Sequence, residues 1–261
     1  MVARTDQVTD PAIVAGLLLA RRAQAYYSRK LTELTDADFD GPSLLPGWSR
    51  RELIAHVGLN ARALTRLVEW AATGVETPMY ASPEQRNAEI EFSATLPAQA
   101  LRNLSDHAAI HLTVEWRDLP DADWSNLVRT AQGRTVPVSE SVWMRTREVW
   151  IHAVDLANGG RFDDIPAPVI DRLIGEVLGA WDKRRLDESL PAFVLEPSDR
   201  TEPFRSAEPE ADAHAEPDRT GLPALTLRGT AAALAQWATG RGGHGVTTLS
   251  GDVAPTPPRW L

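Results

Sequence analysis

Apolar positions recur at helical spacing through the first two-thirds of the chain. Over residues 11–34 the stripe holds Val14, Leu17, Leu18 and Ala25, with Leu31 and Leu34 beyond, and Arg21 and Arg22 interrupt it. Residues 41–48 contain Pro42, Pro46 and Gly47, which predicts a loop. Ser49 and Glu52 then stand three apart, the spacing of a capping box, just ahead of Leu53, Ile54, Val57 and Leu64. That helix is predicted to run to about Thr73, with Gly74 as its stop. Residues 75–81 read as loop. A third helical region opens at Ser82-Pro83-Glu84, with proline at the first helical position, and runs with a break near Pro97 to about Trp116. Residues 117–138 read as mostly irregular, with room for a short hairpin. A fourth helix starts near Ser139 and Glu140 and ends near Gly159 and Gly160. Four long helices joined by loops of mixed length predict an antiparallel bundle over residues 1–162.

The pattern changes after about Phe162. Val169, Leu173, Val177, Leu178 and Trp181 share one side of a helix predicted over residues 166–187. Phe193-Val194-Leu195, Leu225-Thr226-Leu227 and residues 246–249 read as strands, and residues 230–239 as a helix. Residues 197–220 are rich in Pro, Glu, Asp, Ser and Ala and nearly devoid of large apolar groups, so they read as an acidic, mobile loop. The expected fold class is therefore α plus α+β: a four-helix bundle followed by a smaller α+β domain over residues 163–261.

Composition narrows the function. Of 261 residues, 43% are apolar and 24% charged, as in an ordinary globular protein. No stretch approaches eighteen uncharged apolar residues, so no membrane span is expected. The apolar run over residues 12–20 follows Asp6 and Asp10, which is not the basic leader of a secretory signal, so the expected compartment is the cytoplasm. A net charge of -9 argues against nucleic acid and anionic membranes as partners. The chain has no cysteine, which excludes disulfides, thiolate-held zinc and a protein-borne thiol nucleophile.

The strongest local chemical signal is Glu148-Val-Trp-Ile-His152. Residues four apart share a helix face, so one carboxylate and one imidazole can close on a single ion. The spacing alone also fits a solvated face or a Glu–His hydrogen bond. Trp143, Met144, Val149, Trp150, Ile151 and Val154 crowd the same helix, however, and a buried ionisable group needs a partner or a metal. A third ligand has to come from another helix. His56 lies among Leu53, Ile54, Ala55, Val57 and Leu59; it is either a satisfied core histidine or a residue facing the fourth helix. A His, Glu, His set leaves positions open, the pattern of a catalytic zinc site. His107, His111 and Glu115 form a rival row, but three ligands in line along one helix span about 12 Å; one ion can take two adjacent members, and unless another helix supplies the rest the row reads as a polar stripe.

These segments carry a resemblance. Gly47-Trp-Ser-Arg-Arg-Glu-Leu-Ile-Ala-His56-Val and Arg145-Thr-Arg-Glu148-Val-Trp-Ile-His152-Ala-Val-Asp155 resemble the DinB-like metal-binding bundle superfamily. With Glu76-Thr-Pro-Met-Tyr80, Thr130-Ala-Gln-Gly-Arg-Thr-Val-Pro137 and Pro257-Pro-Arg-Trp-Leu261, nearly the whole chain resembles the mycothiol-dependent maleylpyruvate isomerases. The resemblance implies a C-terminal domain like sterol-carrier proteins and zinc at His56, Glu148 and His152. It also implies functional arginines at Arg86 and Arg241, which hold substrate or cofactor oxygens; without it, these read as ordinary cations near helix ends. The implied reaction is isomerisation of maleylpyruvate to fumarylpyruvate in gentisate degradation. A thiol brought in as mycothiol adds reversibly across the conjugated double bond. Asn60 and Asp155 lie close to the ligands in sequence and are candidates to support them. The expected partners are this small anionic substrate and the low-molecular-weight thiol, on a monomer. The alternatives are a mycothiol S-transferase on the same scaffold and a non-enzymatic metal-bearing interaction protein.

Overall fold

The computed structural model describes residues 5–207 and 222–260. They form two compact units, Met1–Gly160 and Arg161–Leu261. The first unit is helical. Its helices are α1 (Pro11–Thr32), α2 (Arg50–Thr73), α3 (Pro83–Ala94), α4 (Ala98–Asp118) and α5 (Glu140–Asp155). The third helical region is thus two helices, parted at Pro97, where proline has no N–H to continue the ladder. Between α4 and α5 lie a short 3-10 turn and a two-stranded hairpin, β1 (Leu127–Arg129) and β2 (Thr135–Pro137).

The local signals at the ends of α2 fix its length. The Ser49 backbone N–H donates to the Glu52 carboxylate at 2.7 Å, which closes the capping box. Gly74 ends the helix with φ 72°, a left-handed conformation that glycine adopts without a Cβ penalty. α2 is buried along most of its length and packs on α4 and α5. At Gly58 a Cβ would come within 2.9 Å of Leu104 Cγ, so the close approach of α2 and α4 depends on the missing side chain. Arg50 Nε donates to the Leu156 carbonyl at 2.6 Å and ties the start of α2 to the end of α5. Further along, Arg145 donates to the Val57 carbonyl. Rising numbers on α2 therefore meet falling numbers on α5, and the two helices run antiparallel.

The second unit has helices α6 (Ala167–Arg184) and α7 (Ala231–Ala238) and strands β3 (Phe193–Pro197), β4 (Phe204–Arg205), β5 (Leu225–Gly229) and β6 (Thr247–Thr248). The sheet order is β4-β3-β5-β6, with β3 and β5 parallel and both edges antiparallel. Val169, Leu173, Val177, Leu178 and Trp181 are all buried on α6, as their spacing predicts. Trp181, Phe193 and Trp237 form the aromatic centre of this unit, with ring centroids 4.6 to 6.2 Å apart.

The acidic stretch was expected to be loop from residue 197, yet Phe204 and Arg205 pair with β3, and Ser206 N–H donates to the Phe193 carbonyl at 2.9 Å. A sheet edge offers unpaired backbone groups, and pairing with them requires no run of apolar side chains. Residues 208–220 of that stretch lie outside the described residues.

Candidate metal centre

His56 stands in the second turn of α2, and Glu148 and His152 stand one turn apart on α5. The antiparallel crossing brings the three together. His56 Nε2 is 2.7 Å from Glu148 Oε1, and His152 Nε2 is 3.5 Å from the same oxygen. The three donor atoms all lie within 4.8 Å of one another. The two imidazole rings sit 5.1 Å apart, nearly perpendicular. Each histidine is only 9% exposed.

This donor set fits a metal ion on its own geometry. Glu148 Oε1 is buried and accepts no hydrogen bond of acceptable angle, although it touches His56 Nε2. A buried carboxylate oxygen left in that state is costly. The carboxylate and the two Nε2 atoms lie close enough together to share one ion once both rings offer a lone pair there. Asp155, fully buried, accepts from His152 Nδ1 at 2.9 Å. A carboxylate only accepts, so Nδ1 carries the hydrogen and Nε2 is left to face the centre.

Charge is unequally shared across the triad. Burial works against the charged form of Glu148, but His56 and His152 outweigh it and hold the carboxyl well below its ordinary range. Burial also lowers His152, yet Glu148 and Asp155 together push it up to about 9. Burial dominates at His56 and lowers it, so this ring is neutral. Without an ion, the centre thus holds one carboxylate, one imidazolium and one imidazole.

Arg86, on α3, reaches the same place: its Nη2 is 3.1 Å from His56 Nδ1. A guanidinium can only donate, so in this contact Nδ1 accepts and the ring hydrogen sits on Nε2. An ion at Nε2 requires the opposite tautomer. Arg86 and an ion therefore place contrary demands on His56. The Arg86 guanidinium also lies 5.8 Å from the Tyr80 ring centroid, over its face.

The other sequence candidates separate clearly. Arg241 lies in the second unit just after α7; its Nη1 donates to the Thr239 carbonyl at 2.6 Å and its N–H to the Gln236 carbonyl. These are helix-end contacts. Asn60 Oδ1 accepts from Arg145 at 3.0 Å. His111 Nε2 lies 3.3 Å from Glu115 Oε1, with the histidine side chain 54% exposed, and His107 does not join them in a cluster. Sequence reasoning passed over Arg145 and over Trp48, whose ring packs edge-on against His56 at 5.5 Å. The available signal for Arg145 was an arginine between Trp143, Met144 and Val149, in a stretch too apolar to be solvated. No helix among the described residues is long and apolar enough to cross a membrane.

Known proteins are similar to this chain in sequence and fold. Residues 20–157 match the model of the mycothiol maleylpyruvate isomerase N-terminal domain, and residues 164–258 match the MDMPI C-terminal domain. The crystal structure of the mycothiol-dependent maleylpyruvate isomerase is 42% identical, covering 95% of this chain and 97% of that one, with a TM-score of 0.85. A crystal structure of a histidine-to-alanine mutant of that enzyme matches with the same values. No curated protein sequence matches the chain. The first model alone spans more than half of the residues, and the chain belongs to the mycothiol maleylpyruvate isomerase family.

Proposed function

We propose that the chain is a zinc- and mycothiol-dependent cis-trans isomerase that converts maleylpyruvate to fumarylpyruvate in gentisate degradation, in the cytoplasm. The observation that carries the reading is the buried convergence of His56, Glu148 and His152 in a chain without cysteine. The isomerase relatives, at 42% identity over nearly the full length, support it.

His56, Glu148 and His152 would hold zinc, which supplies a Lewis acid that lowers the pKa of a thiol at neutral pH. Mycothiol supplies the nucleophile that the chain lacks, and its reversible addition turns the conjugated double bond into one that rotates. The chain's own work is to bind and orient. Asp155 keeps His152 Nε2 turned to the centre. Arg86, within reach of His56, would hold an anionic oxygen of the substrate or thiol; a planar fork suits a carboxylate. Arg241 would serve as the second such cation. The substrate is a dianion, while a zinc site with one glutamate keeps only about one positive charge, so further cations are useful. The test is metal analysis of the purified chain, then turnover of maleylpyruvate with and without mycothiol. The reading expects about one zinc per chain and thiol-dependent isomerisation; turnover that ignores the thiol would overturn it.

A further inference from the structure

Arg145 is a buried cation for which the metal centre has so far given no task. It lies on α5 three residues before Glu148 and seven before His152, so all three share one helix face. It is 2% exposed. Nη1 donates to the Val57 carbonyl at 2.7 Å and to Asn60 Oδ1 at 3.0 Å, and Nη2 donates to Gln24 Oε1 at 2.9 Å. Nε has no hydrogen-bond partner. None of these acceptors is a carboxylate. Burial brings the guanidinium down to about 10, partly offset by the charge of Glu148, so it remains a cation at neutral pH.

A buried charge without a direct counter-ion is a poor device for stability alone; an apolar side chain of similar volume is often as good or better. The position of its acceptors suggests another use. Val57 directly follows His56, and Asn60 is one turn further on. The fork thus grips α2 beside the one ligand that α2 provides, from the helix that provides the other two. Gln24 extends the grip to α1.

We propose that Arg145 is a positioning residue of the metal centre: its fork sets α2 against α5 so that His56 meets Glu148 and His152 before an ion arrives. This rests on reading the triad as a metal site. Supports that orient ligands without touching the ion typically hold about ten- to a hundredfold in metal affinity.

The measurement is zinc affinity by chelator competition on the purified full chain, beside the thermal midpoint of the metal-free protein. Arg145→Met should keep the fold and lose about ten- to a hundredfold in zinc affinity, and Arg145→Lys, with charge but no fork, should fall between. Asn60→Ala, which leaves the cation in place, should lose affinity in the same direction by a smaller factor; it keeps the idea testable if Arg145→Met does not fold. A role confined to folding would move the midpoint and leave zinc affinity alone. A rise in affinity in Arg145→Met would mean that the guanidinium merely repels the ion. Either result overturns the proposal, as does wild-type affinity in Asn60→Ala. A wild-type chain that binds no zinc would instead sink the metal reading, and this inference with it.

Discussion

Two helices of the first unit carry histidine and glutamate at the same spacing, and only one of them builds a site. On α4, His111 and Glu115 are four apart and meet at 3.3 Å, with the histidine half in water. On α5, Glu148 and His152 are four apart and meet at 3.5 Å, almost out of water, with His56 brought in from α2. The spacing is equal; the surroundings differ. In water the α4 pair is worth a few tenths of a kcal/mol and asks for nothing more. On α5 the same pair is desolvated, and a third donor from α2 joins it, so three groups that could hold one ion meet out of water.

The sharpest way to break this comparison is to remove ligands on each side. His56→Ala or Glu148→Ala should abolish zinc retention and reduce isomerisation by about a thousandfold or more, since two protein ligands do not make a catalytic zinc site. His107→Ala and His111→Ala should leave both unchanged. If the α4 variants lose the metal and the His56 and Glu148 variants keep it, the contrast drawn from burial is wrong. Next in size is Arg241→Ala. If that residue serves the reaction, turnover should drop about a hundredfold, the scale for losing a preorganised charge, with zinc content unaltered. Wild-type turnover would leave Arg241 as the helix-end cation that its contact with the Thr239 carbonyl describes.

Asp155 sharpens the contrast, because it is a fully buried carboxylate that accepts from the far side of the His152 ring. Asp155→Asn replaces a pure acceptor by an amide that also presents donors toward His152 Nδ1, so the ring loses its fixed orientation. Zinc affinity should drop about ten- to a hundredfold, with the helices intact by circular dichroism. An affinity within twofold of wild type would show that the ring is held by packing instead.

Protonation offers a subtler contrast. His152 is raised to about 9 in the metal-free centre. An ion takes the neutral ring, so zinc affinity should climb about tenfold per pH unit up to that value and level off above it. Metal-free stability should run the opposite way. A histidine whose folded pKa is raised contributes fully below its ordinary 6.5 and loses that contribution as pH rises through about 9. Metal-free and zinc-loaded protein should thus diverge in thermal midpoint between pH 6.5 and 9. Parallel curves would contradict the assigned charge on His152.

Much of this was legible from sequence, for local reasons. The capping box at Ser49 and Glu52, the stop at Gly74 and the stripe on α6 are written within a few residues each, and the structure follows them. Glu148 and His152 were legible because a four-residue spacing fixes a common face. His56 was a weaker inference, since its role depends on which side of α2 meets α5. The contacts of Arg145 and the pairing of Phe204 with β3 were not legible, because each depends on a partner from a distant segment: a carbonyl on α2, an exposed strand edge. Spacing reports faces of elements; it does not report which faces meet.

The smallest effect belongs to Arg86, and it tests the ring rather than the reaction. Its guanidinium sits 3.1 Å from His56 Nδ1 and can only donate there. That keeps the hydrogen on Nε2, where an ion needs a lone pair. An ion held at Nε2 would therefore require the hydrogen on Nδ1 and Arg86 turned away, at the cost of about one hydrogen bond. Arg86→Gln offers an amide oxygen that can accept from Nδ1–H, so it favours the tautomer that the ion needs. Zinc affinity in that variant should rise about three- to tenfold, the scale of one hydrogen bond, while maleylpyruvate turnover falls if Arg86 also holds substrate. Loss of a nearby cation would raise affinity as well, so the tautomer has to be read directly. Nitrogen NMR of metal-free wild type should find the His56 hydrogen on Nε2, and zinc should shift it to Nδ1. Finding it on Nδ1 before zinc is added would mean that the arginine never opposed the ion, whatever the affinities show.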